Sequence, residues 1–555
     1  MRYRLPVGED DFAKVRQEYY FVDKSPFIRE FMDRHGAVTL FARPRRFGKT
    51  LTLSMFRYFF DIDHAEENRD LFEGLAIARD ADAMWEQGTR PVVFLSLKEW
   101  KADSWGDMQN IIKERLGSYF NTQRFLLDDK KLSPRDLAVF QDILMGQADL
   151  SYCRTAILFL MNLLAQHYGK KPILLLDEYD TPIQAAWSHG FYQEAISFFR
   201  GFLSSALKTN PSLDFAVLTG VLRISKESIF SDLNNLQVDS VLDTNFPEAF
   251  GFTEPEIRQL GMDLGRQASV PELKDWYDGY RLQGREIYNP WSVLQYFAND
   301  CEPRPYWVNT SGNAILAELM RSIDDEHAAT LESLLQGGSV QAFLREGVIY
   351  SDIGDDEDAL YTMLVTTGYL TVSGEQRIGY ETQYDLRLPN KEMQSLFADE
   401  ILRRFRHYQK KSALVRLMQA LLAGDAEKAQ TGLSKFLVSM VSAFDTGAKE
   451  SFYHGFVLGM TAVLVPDYEV QSNREAGKGR FDVAVFPKDT AKRGLLFEFK
   501  TASSEAELTA KADEALQQMA ERDYIAPFRA RGINEVHQYG VAFCGKQVVL
   551  KKMPI

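Results

Sequence analysis

The chain has 555 residues, more than a single hydrophobic core usually organises, and this length predicts about three domains. Hydrophobic residues make up 45% of the sequence and charged residues 26%, a composition that excludes an intrinsically disordered chain. The net charge of −14 is not typical of a protein whose whole surface binds nucleic acid. Residues 451–555 form the segment that should repel a polyanion least, because they carry 14 Lys and Arg against 13 Asp and Glu.

The cysteines and the apolar stretches indicate the compartment. Cys153, Cys301 and Cys544 stand far apart and form no CxxC pair, which argues against a disulfide scaffold or a zinc ribbon and is typical of a reducing cytoplasm. The N-terminus shows no secretory signal, and the longest apolar stretch, residues 455–465, is too short to span a bilayer. We therefore expect a cytoplasmic protein without a membrane segment.

The first 250 residues predict an α/β domain. Short apolar runs stand at residues 38–42, 92–97, 173–176 and 214–219, with helical patterns between them. Continuous apolar strands that alternate with helices are typical of a parallel sheet covered on both faces. Strand-like runs become sparse after residue 250, which marks a domain boundary.

The remainder of the chain divides into a mainly helical region and a second mixed region. Helical patterns occupy residues 254–266, 313–345 and 395–447, and a small strand-bearing unit lies at 360–388. The many aromatic residues here favour a packed core over stacking on nucleic acid. From about residue 450 the patterns predict a helix at 452–465, strands at 467–471, 480–486 and 494–500, and a helix at 505–523.

A phosphate-binding motif is predicted where the first strand meets a helix. The sequence RPRRFGKT, residues 43–50, has the Gly-Lys-Thr ending of a P-loop, in which backbone N–H groups and the helix N-terminus bind phosphates. Lys49 is expected to reach the β- and γ-phosphates and Thr50 to ligate Mg²⁺. Arg43 stands where the full motif has glycine. The alternative interpretation is an ordinary helix start with a solvated lysine.

Two acidic residues end the strand of ILLLDEYD, residues 173–180. Asp177 is expected to hold the Mg²⁺ shell, and Glu178 to polarise the attacking water. Thr219, at the end of the next strand, is placed to sense the γ-phosphate, and Arg223 and Lys226 can supply positive charge in the transition state. The alternative is a set of solvated acids and helix-surface cations.

A second constellation lies in residues 471–500. Because side chains at positions i and i+2 of a strand share a face, Glu498 and Lys500 should converge while Phe497 and Phe499 enter the core. Asp482 lies in a neighbouring predicted strand. Two carboxylates without His or Cys suit Mg²⁺ or Mn²⁺, and a lysine can orient water, which is the chemistry of a D-x(n)-ExK nuclease site. Acidic-x-Lys sequences also occur by chance on solvated strands.

These motifs resemble a bacterial AAA-ATPase-like family that is fused to PD-(D/E)XK nuclease domains. The resemblance rests on the loop RPRRFGKT, on LLLDEYDTPI, and on further segments through almost the whole chain, namely LPVGEDDF (5–12), YFVDKS (20–25), TGVLRISKESIFSDLNNL (219–236), WYDGYRL (276–282) and YNPWSVL (288–294). It implies that Arg43 is a family trait, and that Gln518 in the last helix lies beside the metal site. Glu475 is a further candidate carboxylate, although a loop-surface role fits it equally well.

The sequence thus predicts a P-loop NTPase domain with a parallel sheet in residues 1–250 and a restriction-endonuclease-like α/β domain in 448–555. For residues 251–447, the resemblance to related ATPases implies a helical lid and a winged-helix-like region. The nucleotide site comprises the loop residues Arg46, Phe47, Gly48, Lys49 and Thr50 together with Asp177, Thr219 and Arg223. Catalysis is assigned to Glu178, Asp482, Glu498, Lys500 and Gln518, and metal binding to Thr50, Asp177, Asp482 and Glu498.

The predicted function is ATP hydrolysis combined with metal-dependent cleavage of nucleic acid, chiefly DNA, with nucleotide state gating the cleavage. ATP and Mg²⁺ are the expected cofactors, with Mn²⁺ an alternative at the nuclease site, and homo-oligomerisation stays open. Two alternatives differ in class. One is a nucleotide-controlled switch whose nuclease-like domain only binds nucleic acid or a partner. The other is a transcription-factor-like ATPase, which requires a basic recognition helix that the sequence does not indicate.

Overall fold

A computed structural model describes the chain apart from residues 1–3, 129–131, 223–229, 231–233, 244, 267–269, 283, 308–333, 336, 346, 348–355, 398–410, 441–463, 465–466, 473–474, 477–478, 546 and 555. The side chains of residues 411–412, 436, 438–440, 472, 475–476 and 479 also lie outside the described part. The chain forms two compact units, residues 1–307 with 341–389 and residues 308–340 with 390–555. No helix in the described ranges is long and apolar enough to cross a membrane.

Five parallel strands form the main sheet of the first unit. They lie in the order β2-β3-β4-β1-β5 and comprise β1 Val38–Ala42, β2 Val92–Ser96, β3 Ile173–Asp177, β4 Ala216–Gly220 and β5 Leu236–Asp239. Every residue of β1, β3 and β4 is buried, which explains their continuous apolar sequences. The prediction of a parallel sheet is confirmed. The sequence pattern misses β5, because this short strand is only partly buried and contains two polar residues.

Helices connect these strands and surround the sheet. Several begin at a side-chain cap, in which Asp11, Ser104 or Ser133 accepts a hydrogen bond from the backbone N–H three residues later. The helices of this region are α1 Phe12–Glu18, α2 Pro26–Arg34, α3 Lys49–Phe60, α4 Ala65–Asp70, α5 Ala81–Trp85, α6 Trp105–Thr122, α7 Pro134–Leu144, α8 Leu150–Tyr168, α9 Thr181–Ser188 and α10 Tyr192–Leu207. Short 3-10 helices span Ala76–Arg79 and Arg124–Asp128.

Further helices and two small sheets complete the first unit. Helices α11 Glu254–Asp263, α12 Val270–Tyr277 and α13 Pro290–Ala298 share an aromatic core, and the hairpin of β6 Tyr280–Leu282 and β7 Arg285–Ile287 lies between α12 and α13. Helix α14 Glu357–Thr366 precedes an antiparallel hairpin, β9 Thr371–Ile378 and β10 Glu381–Arg387, and β8 Val340–Phe343 pairs with β10. The strand-bearing unit predicted at 360–388 is confirmed, whereas β8 corrects the helical prediction at its position.

A second five-stranded sheet organises the C-terminal unit. Its order is β11-β14-β15-β16-β17, with β11 Tyr468–Ser472, β14 Val483–Pro487, β15 Gly494–Thr501, β16 Val536–Cys544 and β17 Gln547–Lys552, while β12 Glu475–Ala476 and β13 Gly479–Arg480 form a separate short pair. Strands β15 and β16 are parallel, and the other neighbours are antiparallel. The last two strands are not among those predicted.

Helices pack on both faces of this sheet. Helices α15 Lys411–Ala423 and α16 Ala426–Met440 share a core with one face, and α17 Leu508–Arg522 and α18 Ala526–Ala530 with the other. Contacts with this sheet assign α15 and α16 to it, which a helical pattern alone does not reveal. The helix predicted at 452–465 falls almost entirely outside the described residues.

Candidate active sites

The phosphate loop, residues 43–48, leads from the buried strand β1 into α3. Arg46 and Gly48 have φ values of +69° and +83°, in the left-handed region of the backbone. Turns of this kind aim successive N–H groups at one point and so form an anion-binding concavity. Lys49 begins α3, which brings the positive end of the helix dipole to the same loop.

Lys49 lies inside the phosphate loop. Its side chain is buried, and Nζ donates hydrogen bonds to the carbonyl oxygens of Arg43 at 2.9 Å and Pro44 at 2.8 Å. Burial lowers the pKa of Lys49 to about 8, while nearby carboxylates, chiefly that of Glu178, act in the opposite direction. This position is inconsistent with the solvated lysine of the alternative interpretation.

Asp177 connects the phosphate loop to the sheet. Its carboxylate is fully buried and accepts hydrogen bonds from Thr50 Oγ1 at 2.9 Å and Thr219 Oγ1 at 2.6 Å. Ser96, the register partner of Asp177 on β2, donates a third bond at 3.3 Å. Burial raises the pKa of Asp177, and the hydroxyl donors oppose that change. The Thr50 hydroxyl and the Asp177 carboxylate together form an oxygen donor pair that fits Mg²⁺.

The other acids of ILLLDEYD occupy different positions. Glu178 has a left-handed φ of +51°, and its Oε2 accepts from Thr181 Oγ1 at 3.0 Å. Asp180, which the sequence reasoning did not select, is buried and accepts from the N–H groups of Val221 at 2.8 Å and Leu222 at 3.0 Å. Asp180 therefore fixes the turn that follows β4. Arg223 and Lys226, the next predicted cations, lie outside the described residues.

Arg43, which stands where the full P-loop motif has glycine, makes a buried ion pair with Asp239. Its guanidinium is buried against the carboxylate of Asp239, which is also fully buried, and donates to the Asp239 carbonyl at 2.8 Å and the Phe246 carbonyl at 3.3 Å. Asp239 ends β5, the strand that pairs with β1. The Arg43 side chain therefore fixes β5 and the following segment to the start of the loop.

The next residues of the loop contact aromatic side chains from the middle of the sequence. The Arg46 guanidinium lies 4.1 Å from the centre of the Trp291 ring on α13, and the Phe47 ring meets Tyr280 edge to face at 5.0 Å. Phe47 also accepts a backbone hydrogen bond from Gly251 at 3.2 Å. The phosphate loop is thus packed against residues that follow the predicted N-terminal domain.

The second candidate site lies on β15, where side chains alternate as predicted. Phe497 and Phe499 are buried in the core shared with α15 and α16. Glu498 and Lys500 share the opposite face, and Lys500 Nζ donates to Glu498 Oε1 at 3.4 Å. The predicted convergence of these two polar side chains is confirmed, and both are mostly shielded from solvent.

Asp482 joins them from the neighbouring strand connection. It directly precedes β14 rather than lying within a strand as predicted, and its Oδ2 accepts from the backbone N–H of Phe499 at 2.6 Å. Because Val483 pairs with Phe497 in an antiparallel ladder, Asp482 lies beside Glu498. The structure therefore brings the two predicted carboxylates together.

Gln518 reaches the same group from α17, where its Nε2 donates to Glu498 Oε1. The other oxygen of Glu498, Oε2, is buried and has no hydrogen-bond partner among the described residues. Burial raises the pKa of Glu498 to about 8, and repulsion from Asp482 adds to the increase. A buried, unpartnered carboxylate oxygen beside a second carboxylate fits a hard divalent cation.

The donor set is small. Among the described side chains, no three His, Cys, Asp or Glu residues are grouped so that they could hold a metal ion. A cation at this site would therefore rest on Asp482 and Glu498, with its remaining ligands from water or substrate. The side chain of Glu475 lies outside the described part of the chain.

A P-loop on a parallel sheet and paired carboxylates on a mixed sheet define a protein with two distinct candidate active sites. Residues 6–230 match the family model described as a predicted AAA-ATPase, and residues 448–553 match that of the PD-(D/E)XK nuclease superfamily. The chain therefore joins an AAA-ATPase-like domain to a PD-(D/E)XK nuclease superfamily domain, as its motifs predict.

A relative extends this similarity over nearly the full length. The protein named "Uncharacterized protein in vnfD 5' region" of Azotobacter chroococcum mcd 1 is 29% identical over 552 residues, which cover 98% of this chain and 96% of that protein. The similarity therefore includes the region between the two matched domains.

Proposed function

We propose that the protein hydrolyses ATP in its N-terminal domain and cleaves nucleic acid in a metal-dependent reaction in its C-terminal domain, with nucleotide state gating the cleavage. The observation that carries the nuclease assignment is the buried Glu498 carboxylate, whose unpartnered oxygen lies beside Asp482 and Lys500. The Thr50–Asp177 hydrogen bond carries the ATPase assignment.

In the proposed ATPase, the phosphate loop and Lys49 bind the phosphates, and Thr50 and Asp177 hold Mg²⁺. Glu178 polarises the attacking water, and Thr219, which already donates to Asp177, senses the γ-phosphate from β4. Positioning and charge neutralisation are the main requirements of phosphoryl transfer, and these hydrogen-bonded side chains suit both.

In the proposed nuclease, Asp482 and Glu498 hold the divalent cation, which supplies charge neutralisation at the scissile phosphate. Gln518 fixes one Glu498 oxygen and leaves the other for the cation. Lys500 orients water and offsets the charge that develops on the phosphate. Oxygen-only donors favour Mg²⁺ or Mn²⁺, and DNA is the proposed substrate.

The proposed gating begins at the phosphate loop. Arg46 and Phe47 contact Trp291 and Tyr280, so a nucleotide that changes the loop also changes these contacts. Such coupling requires contacts that differ between the nucleotide-bound and the nucleotide-free protein. The stacking of Arg46 on Trp291 is a contact that can differ in this way.

The decisive experiment incubates the purified full-length protein with labelled DNA and RNA, with and without Mg²⁺ and ATP. Asp482→Ala and Lys49→Ala serve as matched controls for the two sites. Metal-dependent cleavage that Asp482→Ala abolishes supports the proposal. If the protein binds nucleotide but cuts neither substrate under any condition, a nucleotide-controlled switch with a nuclease-like binding domain is the better description.

A further inference from the structure

A buried tyrosine hydroxyl joins two polar residues beside the carboxylate site. Tyr524 is fully buried, and its hydroxyl accepts hydrogen bonds from Gln518 Nε2 at 3.2 Å and Arg522 Nη1 at 3.3 Å. The same Gln518 nitrogen donates to Glu498. A continuous chain of hydrogen bonds therefore runs from Arg522 to the proposed metal ligand.

Arg522 is the exposed end of this chain of hydrogen bonds. It is the last residue of α17, four positions after Gln518, so both side chains lie on one face of the helix. Asp523 then adopts a left-handed φ of +50° and ends the helix. The Arg522 guanidinium is exposed, and it attracts the Glu498 carboxylate. It therefore offers an exposed positive charge close to the buried carboxylates.

The charge of Arg522 is available to a ligand. Its side-chain hydrogen bond in the described part of the chain goes to the Tyr524 hydroxyl rather than to a carboxylate. Lys500, by contrast, is hydrogen-bonded to Glu498, and Arg529 on α18 is paired with Asp523 at 3.2 Å. An approaching phosphodiester would meet two carboxylates at the site, and the exposed Arg522 guanidinium nearby offsets that repulsion.

We propose that Arg522 binds the phosphodiester backbone of the nucleic-acid substrate beside the metal site, and that Tyr524 is the positioning residue that orients Arg522 and Gln518. A guanidinium held at one nitrogen still presents further N–H donors, and its planar fork matches phosphate oxygens. The proposal deepens, and rests on, the proposed nuclease function. It adds two residues that motif reasoning does not select.

The test compares four variants of the full-length protein, Arg522→Gln, Arg522→Lys, Tyr524→Phe and the matched control Arg529→Gln. Cleavage of a fluorescein-labelled DNA duplex in Mg²⁺ gives kcat and KM at several salt concentrations. We expect Arg522→Gln to raise KM about tenfold and to reduce the salt slope of log(1/KM) by about one, the effect of losing one phosphate contact. Arg522→Lys should retain the salt slope and recover part of the KM.

The remaining variants separate positioning from general stability. Tyr524→Phe keeps the buried ring, so we expect it to raise KM by less than Arg522→Gln while the thermal midpoint changes little. Arg529→Gln removes the same charge seven residues away and should leave KM and the salt slope unchanged. If Arg522→Gln is poorly folded, the salt slope of Arg522→Lys and the KM of Tyr524→Phe test the proposal instead. The expected values support it, and a wild-type KM in Tyr524→Phe contradicts it.

Failure of the proposed nuclease function and failure of the Arg522 assignment give different results. A wild-type protein that cuts no nucleic acid overturns the proposed function and this inference with it. A wild-type protein that cuts DNA, while Arg522→Gln is folded and has wild-type KM and salt slope, overturns the assignment of Arg522 alone.

Discussion

The hydroxyl of Thr50 donates a hydrogen bond to Oδ2 of Asp177 at 2.9 Å, across 127 residues of sequence. This bond joins the first turn of the phosphate-loop helix to the end of β3, and Thr219 on the intervening strand β4 binds the other Asp177 oxygen. Three sequence motifs therefore meet at one buried carboxylate. Asp177 therefore holds the parts of the predicted nucleotide site together.

Lys49→Ala should strongly weaken ATP binding. Lys49 is the buried cation of the loop, and hydrogen bonds from a charged group contribute about 1.5–3 kcal/mol each. Isothermal titration calorimetry should show an affinity loss of at least about tenfold, which corresponds to about 1.4 kcal/mol. Lys171→Ala, an exposed lysine before β3, is the control and should bind ATP normally. Wild-type affinity in Lys49→Ala would place the phosphates elsewhere.

Glu178→Gln should bind ATP but hydrolyse it slowly. The substitution preserves the left-handed backbone and the contact with Thr181 while it removes the negative charge proposed to polarise water. We expect turnover to fall at least about tenfold, a barrier increase of about 1.4 kcal/mol or more. A phosphate-release assay measures turnover, and calorimetry checks that binding persists. Unchanged turnover would assign water activation to another residue.

Arg43→Gly restores the glycine of the full P-loop motif and should nevertheless destabilise the protein. The substitution leaves the Asp239 carboxylate buried without its partner, a defect that costs about 3–5 kcal/mol. Chemical denaturation measures the free energy of unfolding. The double variant Arg43→Gly with Asp239→Asn removes the unpaired charge and should recover part of the loss. Stability equal to the wild type in Arg43→Gly would mean that the pair is dispensable.

Sequence predicts the two sites well because their motifs are local. A P-loop ending, a strand with terminal acids and an alternating Glu-x-Lys each encode their geometry within a few residues, which is why Lys49, Asp177 and Glu498 could be located. Their catalytic roles stay predictions. The partner of Arg43 could not be found in this way, because Asp239 lies 196 residues away on a short strand with a weak pattern.

Other features depend on tertiary packing. Helices α15 and α16 carry helical patterns that would suit either unit, and only their contacts with the C-terminal sheet assign them. Asp180 and Arg522 resemble ordinary solvent-exposed charges in sequence. What distinguishes them is their partners, a backbone turn for Asp180 and the buried Tyr524 hydroxyl for Arg522.

Trp291→Phe should weaken the proposed coupling between nucleotide and cleavage. Stacking of a guanidinium on tryptophan contributes about 0.5–2 kcal/mol, and phenylalanine is a poorer partner for Arg46. We expect ATP turnover to remain within about twofold of the wild type, and the ratio of cleavage rates with and without ATP to move toward one. Trp276→Phe, on α12, is the control and should retain the wild-type ratio.

Fluorescence gives an independent measurement of this contact. ATP binding should change tryptophan emission in the wild type and in Trp276→Phe, and the change should be smaller in Trp291→Phe. Identical ATP-induced changes in all three proteins would mean that Trp291 does not respond to the loop.

Substitutions of Asp482 and Lys500 should both impair cutting but should differ in their effect on metal binding. Asp482 is a proposed ligand, so Asp482→Ala should lose the Mn²⁺ bound at the nuclease site and cleavage together, while the Thr50–Asp177 site is unaffected. Lysine does not ligate Mg²⁺ or Mn²⁺, so Lys500→Ala should still bind Mn²⁺ while cleavage falls at least about tenfold. Removal of the cation with EDTA should abolish cutting in the wild type, and Mg²⁺ or Mn²⁺ should restore it.

Electron paramagnetic resonance measures Mn²⁺ binding separately from activity. Lys492→Ala is a suitable control, because this exposed lysine stands in the turn before β15 and pairs with Asp467 at 3.4 Å. It should retain both binding and cutting. Normal cutting by Lys500→Ala would move the reaction away from these residues. If Asp482→Ala binds as many Mn²⁺ ions as the wild type, this aspartate is excluded as a ligand.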